Sequence, residues 1–370
     1  MYSKLYLYVN VFVYLLSKVE LSFEISCRNE KNEDVDWFIV YKLPAIDGEK
    51  RGSYLERGVA YAYITSDTSK EWILSSLSIE SKKSMLGRTL KGFRDELDKG
   101  TDVAYLFYND KAPETEKSTV GHLKGYLAFD EESGVWMIHS IPKFTKSDEH
   151  EFPSNARPNG QIAMCITFAT ESLNDICQHL LFCNPNIYDY DISKSIKQNL
   201  DINSQSLFSE RPNFIRKAPF EKQTSLVSLD NQEFIGFAKD NQEEVDIYSD
   251  IIGPNLGEDL IVESWRRGAG GVLDPSCEDS NTVIDVMTIN MTVKNRKKGI
   301  YFTYTQDHSK WAISQDDESD LVCIADLNRM ESQAKRGGGA ICLFSGSLRK
   351  AFKSIIDSIS LCPVSYSYYD

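Results

Sequence analysis

Hydrophobic positions fall mostly into short, near-continuous apolar runs with polar breaks, a pattern that predicts strands more often than helices. One such run spans 35–42 and is rich in aromatic and β-branched residues; a second is Ala104-Tyr105-Leu106-Phe107-Tyr108. Two more lie around His122 and Trp136, and strand patterns return at 259–265, 283–293 and 299–305. Helical patterning is scarcer. A stretch of mixed charge predicts a helix over 82–98, and a second is expected over 347–360. From about 184 to 242 the chain is polar and carries Pro, Ser and Asn without a period, so 191–242 is expected to be a connecting region.

The first residues differ in kind. After one positive charge at Lys4, positions 5–16 are apolar except for Asn10, and polar residues resume at Ser17 and Lys18. About a dozen apolar residues are too few to span a bilayer but suit the core of a signal peptide. Residues 1–22 are therefore expected to be a signal peptide, cleaved somewhere between 17 and 26.

An internal repeat organises the remainder. When His122 is laid on His308, Lys124 falls on Lys310, Asp130 on Asp316, Glu132 on Glu318, Ser133 on Ser319 and Ile138 on Ile324, all without a gap. This predicts two related halves, 27–190 and 243–365, each supplying one copy of the same site element.

In each copy a His and a Lys are separated by one residue. On a strand, positions i and i+2 share a face, so His122, Lys124 and Tyr126 would lie on one side, and His308 and Lys310 likewise. A lysine beside an imidazole suits a phosphate target. The ammonium neutralises non-bridging oxygens, while the imidazole attacks phosphorus or protonates the leaving oxygen. Two facing pairs supply one nucleophile and one general acid around a single phosphodiester. Both lysines then provide the charge that an ion would otherwise bring, so no cofactor or metal is expected.

Charge and cysteines set the setting. The net charge of −14 argues against tight DNA binding at neutral pH and is compatible with an acidic compartment, where carboxylates begin to protonate. Eight cysteines, Cys27, Cys165, Cys177, Cys183, Cys277, Cys323, Cys342 and Cys362, follow the apolar leader, and an even count there favours disulfides. The triplet Asn290-Met291-Thr292 is a glycosylation acceptor, which agrees with a secretory route and a secreted or lysosomal location.

Five segments then carry a family resemblance. Trp37-Phe38-Ile39-Val40-Tyr41-Lys42-Leu43-Pro44, Gly121-His122-Leu123-Lys124-Gly125, Trp136-Met137-Ile138-His139-Ser140-Ile141-Pro142, Asp307-His308-Ser309-Lys310-Trp311-Ala312 and Lys335-Arg336-Gly337-Gly338-Gly339 resemble deoxyribonuclease II. That family belongs to the phospholipase D superfamily. The resemblance implies an α/β fold, a phospholipase D-like pseudo-two-fold pair of α/β halves, each a central mixed sheet flanked by helices. It implies an acid endonuclease acting on DNA without a metal, through a phosphohistidine intermediate, and leaving 3′-phosphate ends.

By the same resemblance, the superfamily Asn seventeen residues beyond the motif His falls on His139 in the first half, a third active-site histidine. In the second half the aligned position is Ala325, and Asn328, three residues later, is the expected phosphate-orienting amide. The superfamily Asp five residues beyond the motif Lys is replaced by Phe129 and Gln315, with Asp130 and Asp316 one position later. The resemblance pairs Cys27 with Cys165, Cys277 with Cys362 and Cys323 with Cys342, leaving Cys177 and Cys183 for each other. His150 and His179 have no partner spacing, and the Arg-Gly runs at 266–271 and 336–339 read as turns or as contacts to phosphate. Two other readings stay open: a phosphodiesterase acting on lipid, and a catalytically impaired secreted paralogue that binds nucleic acid or a host partner. DNA is the expected partner, a homodimer is possible, and no membrane association is expected once the leader is removed.

Overall fold

A computed structural model describes residues 25–362 except 118, 149–150, 269 and 278–280, so the expected signal peptide and His150 lie outside the described residues. The first half runs β1 (Cys27–Arg28), β2 (Asp34–Val35), β3 (Trp37–Lys42), β4 (Tyr61–Thr65), β5 (Ile73–Leu74), α1 (Met85–Lys99), β6 (Ala104–Asn109), β7 (Lys124–Phe129), β8 (Ser133–His139), β9 (Gln161–Ala169), α2 (Leu173–Cys183) and β10 (Ile187–Ile192). The second runs β11 (Glu221–Val227), β12 (Glu233–Lys239), β13 (Leu260–Glu263), β14 (Val283–Val293), β15 (Arg296–Thr303), β16 (Trp311–Ser314), β17 (Leu321–Ala325), β18 (Gly338–Phe344), α3 (Gly346–Lys353) and β19 (Ile356–Ile359). Among the described residues no helix is long and apolar enough to cross a membrane.

Two large sheets result. The first has the order β10-β6-β7-β8-β9-β3-β4-β5 and is antiparallel throughout. The second has the order β11-β12-β18-β17-β16-β13-β14-β15, with β19 added beside β14 and one parallel pair, β13 with β14. A block of six strands recurs: β6-β7-β8-β9-β3-β4 matches β13-β16-β17-β18-β12-β11, antiparallel at every step. The hairpin of β7 and β8, which follows His122, corresponds in this order to that of β16 and β17, which follows His308.

The core lies between the sheets and outside each. The largest apolar cluster joins Ile39, Tyr41, Leu106 and Trp136 of the first sheet to Trp311, Ile313, Val322 and Ile341 of the second. Trp72 donates from Nε1 to Ala351 O across the halves, 3.1 Å away. On the outer face of the first sheet, α1 packs Met85, Leu86, Leu90 and Phe93 over Phe38, Val40 and Phe107. That helix begins where Ser84 Oγ accepts the Gly87 N–H, and it ends at Gly100, whose φ of 76° only glycine adopts without strain.

Three expectations change. The segment 191–242 is a connection only in its first part, because β11 and β12 form the outer edge of the second sheet. Strand β11 buries just Thr224 and Leu226, so its sequence reads as polar loop. The expected helix over 347–360 stops at Lys353, and the β-branched pair Ile355-Ile356 leads into β19, which pairs with β14. Cys177 and Cys183 are not bonded to each other; both are buried free thiols. Both lie on α2, where six residues advance about 9 Å along the axis, beyond the reach of a disulfide. The remaining cysteines form Cys27–Cys165, Cys277–Cys362 and Cys323–Cys342. Denatured, unreduced protein is therefore expected to take up two alkylating groups, counted by mass spectrometry; none would mean that Cys177 and Cys183 are oxidised.

Candidate active site

His122 and His308 both stand just before a strand rather than on one, a correction to the expected placement. His122 lies two residues ahead of β7 and His308 three residues ahead of β16. Each is held through its backbone by the other half. The His122 N–H donates to Gly337 O (2.7 Å), and the His308 N–H donates to Gly160 O (2.9 Å). Strand register makes the two glycines equivalent, since each precedes the residue that pairs with a buried lysine, Lys42 or Lys239.

The lysines converge on both histidines. Lys124 donates to Asp110, and Lys310 donates to the carbonyl two residues before it, His308 O, at 2.7 Å. Burial, then the charges of Lys124, Lys310 and Arg336, pushes His122 well below the usual histidine range, with Asp110 acting in the opposite sense. His308 is held down to about 3 by burial, then by Lys310, Lys124, Lys111 and Lys42. Lys310 is itself lowered to about 7 by burial and by Lys124. A chain of net charge −14 thus folds a local concentration of positive charge around two imidazoles, the opposite of its average.

The two imidazoles have different surroundings. His122 Nδ1 lies 2.9 Å from the backbone carbonyl of Asp326. A carbonyl only accepts, so Nδ1 carries the hydrogen and neutral His122 presents an unprotonated Nε2. Asp110 Oδ2 is 4.0 Å from that Nε2. The Asp110 carboxyl is raised by burial, but Lys124, His122 and Arg336 together hold it below the usual range. In the second half, register places Trp265 where the first half has Asp110, because Asn109 pairs with Lys124 and Glu263 pairs with Trp311. The Trp265 ring packs against His308, with centroids 4.1 Å apart. His308 Nε2 makes no hydrogen bond among the described residues.

His139 ends β8 beside Lys124, because Ile138 pairs with Gly125. Its Nδ1 accepts the Ile141 N–H at 3.1 Å, which leaves the hydrogen on Nε2, a buried donor without a partner among the described residues. Burial and Lys124 lower His139 to about 3, so it is a neutral donor. Asn328 accepts the Trp265 N–H through Oδ1 at 3.1 Å and so joins the His308 side of the site. Tyr126 does not join it: its ring stacks on Phe107 at 4.9 Å, inside the core. Asp130 and Asp316 accept backbone N–H groups in their hairpin turns and take no part.

Sequence reasoning missed Asp110, Trp265 and Asp326. Their only signal is a place beside the motif strands, visible once strand pairing is known. Asp326 is raised to about 7 by burial, offset by the Gly339 N–H and by Lys124 and Lys310. Arg336 donates to the Val120 and Gly121 carbonyls and ties the second half to the chain just before His122. Arg266 is buried, pairs with Asp285 and lies over Tyr304, whereas Arg267, the other arginine of the first Arg-Gly run, is exposed. His179 is a core residue of α2, edge-on to Trp136. Asn290 is exposed on β14. Among the described residues no three His, Cys, Asp or Glu side chains are grouped to hold a metal ion. The cavity of about 360 Å³ beside Glu131, Glu171 and Asn199 touches none of the site residues.

Residues 26–362 match the family described as Deoxyribonuclease II. The chain is 35% identical over 338 residues to human Deoxyribonuclease-2-beta, covering 90% of each chain. It is 32% identical over 376 residues to Deoxyribonuclease-2 of Caenorhabditis elegans, covering 93% of this chain and 96% of that one. It is 33% identical over 345 residues to Plancitoxin-1 of Acanthaster planci, covering 91% and 92%.

Proposed function

Since the chain belongs to the deoxyribonuclease II family, we propose that it is an acid endonuclease that cuts DNA through His122 and His308 with no metal in the step. The observation that carries this reading is the pair of histidines embedded in lysine charge, one of them with Nε2 free to attack.

His122 Nε2 attacks phosphorus, and the bond from phosphorus to O5′ breaks. The His308 imidazolium gives its proton to that departing oxygen. The Nδ1–H of His122 keeps its bond to the Asp326 carbonyl as the ring becomes a cationic phosphohistidine. Neutral His308 then takes a proton from water, the water oxygen attacks phosphorus, the P–N bond breaks and a 3′-phosphate leaves. Lys124 and Lys310 balance charge on the non-bridging oxygens, and His139 Nε2–H supplies a neutral hydrogen bond to them. Trp265 suits the acid role of His308, because an indole face stabilises a cation. Asn328 holds the Trp265 backbone in place.

Secretion or lysosomal delivery, with Asn290 glycosylated, accords with three disulfides in one chain. Plasmid DNA in acid buffer with millimolar EDTA is expected to be cut at an undiminished rate. The product ends should resist extension by a polymerase until phosphatase removes a 3′-phosphate. Inhibition that Mg²⁺ reverses would remove the metal-free step, and absence of cleavage at any pH would favour a binding paralogue.

A further inference from the structure

Two lysines outside the His-x-Lys motifs occupy equivalent places. Lys42 is the last residue of β3 and pairs with Gln161; Lys239 is the last residue of β12 and pairs with Gly338. Both are buried. Among the described residues neither ammonium forms a direct ion pair; each instead donates to backbone carbonyls. Lys42 Nζ donates to Arg157 O at 2.8 Å and to Gly58 O at 3.2 Å. Lys239 Nζ donates to Ala334 O and Arg336 O, both at 2.8 Å, and lies 3.4 Å from Asp240 O. Burying an ammonium is costly, and desolvation lowers Lys42 to about 7 and Lys239 to about 8. An apolar residue would fill such a place more cheaply, so the carbonyls are what the charge is there to hold.

One carbonyl held by each lysine lies on a segment that leads to a histidine contact. Arg157 lies three residues before Gly160, and Arg336 lies immediately before Gly337. Gly160 O accepts the His308 N–H, and Gly337 O accepts the His122 N–H. Neither glycine can shift freely or take a side chain: a Cβ on Gly160 would lie 2.4 Å from Asp307 Oδ1, and one on Gly337 would lie 2.4 Å from Cys183 O. The chain of contacts therefore runs from Lys42 through the 157–160 loop to His308, and from Lys239 through the 334–337 loop to His122. Tyr41, adjacent to Lys42, adds to the first route by bonding Asp307 and Ser309, which flank His308.

We propose that Lys42 and Lys239 are positioning residues that work crosswise, each anchoring the loop on which the histidine of the opposite half is registered. The proposal rests on the assignment of His122 and His308 as the reacting histidines, but its geometry does not depend on the substrate. Both imidazoles must face one phosphorus from two halves of the chain. A loop that drifts by about 1 Å would separate them enough to slow reaction roughly 100-fold without weakening DNA binding.

The test uses the whole protein with ¹³Cε1-labelled histidine, whose five histidines give five resonances, assigned by single His→Ala variants. Lys42→Met is expected to shift the His308 resonance and leave His122 in place, and Lys239→Met to shift His122 and leave His308 in place. In the same variants kcat on a short oligonucleotide should fall about 10- to 100-fold with KM changed less than about threefold. Lys42→Gln and Lys239→Gln, which keep a donor, replace the Met variants if these do not fold, with smaller shifts in the same crosswise pattern expected. Shifts confined to the histidine of the variant's own half, or wild-type resonances and kcat in both, would overturn the proposal. Crosswise shifts in the variants, together with a wild-type protein that cuts no DNA, would leave the positioning role standing and remove the nuclease reading instead.

Discussion

His122→Ala is expected to lower kcat by more than about 10⁴-fold on every phosphodiester, because it removes the proposed nucleophile. His308→Ala should cost roughly 10²–10⁴-fold on DNA, the usual worth of a positioned acid. The two variants separate on an ester with a good leaving group, such as a nitrophenyl phosphodiester, which needs no proton to depart. His308→Ala should there release one equivalent of nitrophenolate in a burst and then slow, since hydrolysis of the phosphohistidine still needs the base. His122→Ala should show no burst. Far-ultraviolet circular dichroism should match the wild type in both, because neither imidazole supports a strand. Equal losses on both substrates would reverse or dissolve the division of roles that the Asp326 carbonyl and Trp265 support.

The second large effect is of pH. His308 must be protonated to act, and its folded-state pKa is displaced downward by burial and four lysines. The protonated fraction in free enzyme therefore grows only as pH falls, and the alkaline limb of kcat/KM should lie below the ordinary histidine value of about 6.5. His122 must be neutral, and its pKa is displaced in the same direction, so it stays competent well into acid. The resulting bell belongs to the coupled pair, and above its alkaline limb the rate should fall about tenfold per pH unit. Bound phosphate adds negative charge beside His308 and raises its pKa, so the limb for kcat should lie higher than that for kcat/KM. Salt distinguishes this cause from general repulsion by the −14 charge: screening at a Debye length of about 8 Å should not restore activity at pH 7.5. A flat profile between about pH 5 and 8, or rescue by salt, would defeat the account.

How much of this was legible in the chain follows from what periodicity records. The strands at 35–42, 104–108, 283–293 and 299–305 are buried on at least one face, so their apolar runs stand out, and the observed strands lie within about two residues of them at most ends, with β15 starting three residues early. Strand β11 shows little because only two of its side chains are buried, and the last helix was overextended because an amphipathic run does not say where tertiary pairing takes over. The site was half visible. His122, Lys124, His308 and Lys310 repeat as a motif, and repetition is a property of sequence. Asp110 and Trp265 repeat as places but not as residues, so only strand register relates them. Asp326 contributes a carbonyl to His122, and a carbonyl has no letter in the sequence.

The unlike neighbours at those two equivalent places bear on why both halves belong to one chain. Two identical subunits related by a true two-fold axis would surround each histidine alike, giving both the same proton affinity and leaving neither committed to donate or to attack. Covalent linkage of the halves removes that degeneracy. Asp110 can stand on one side and Trp265 on the other, and the proposed reaction would acquire a direction along the DNA strand, with the half that holds the 3′ side of the cut chosen before the substrate arrives.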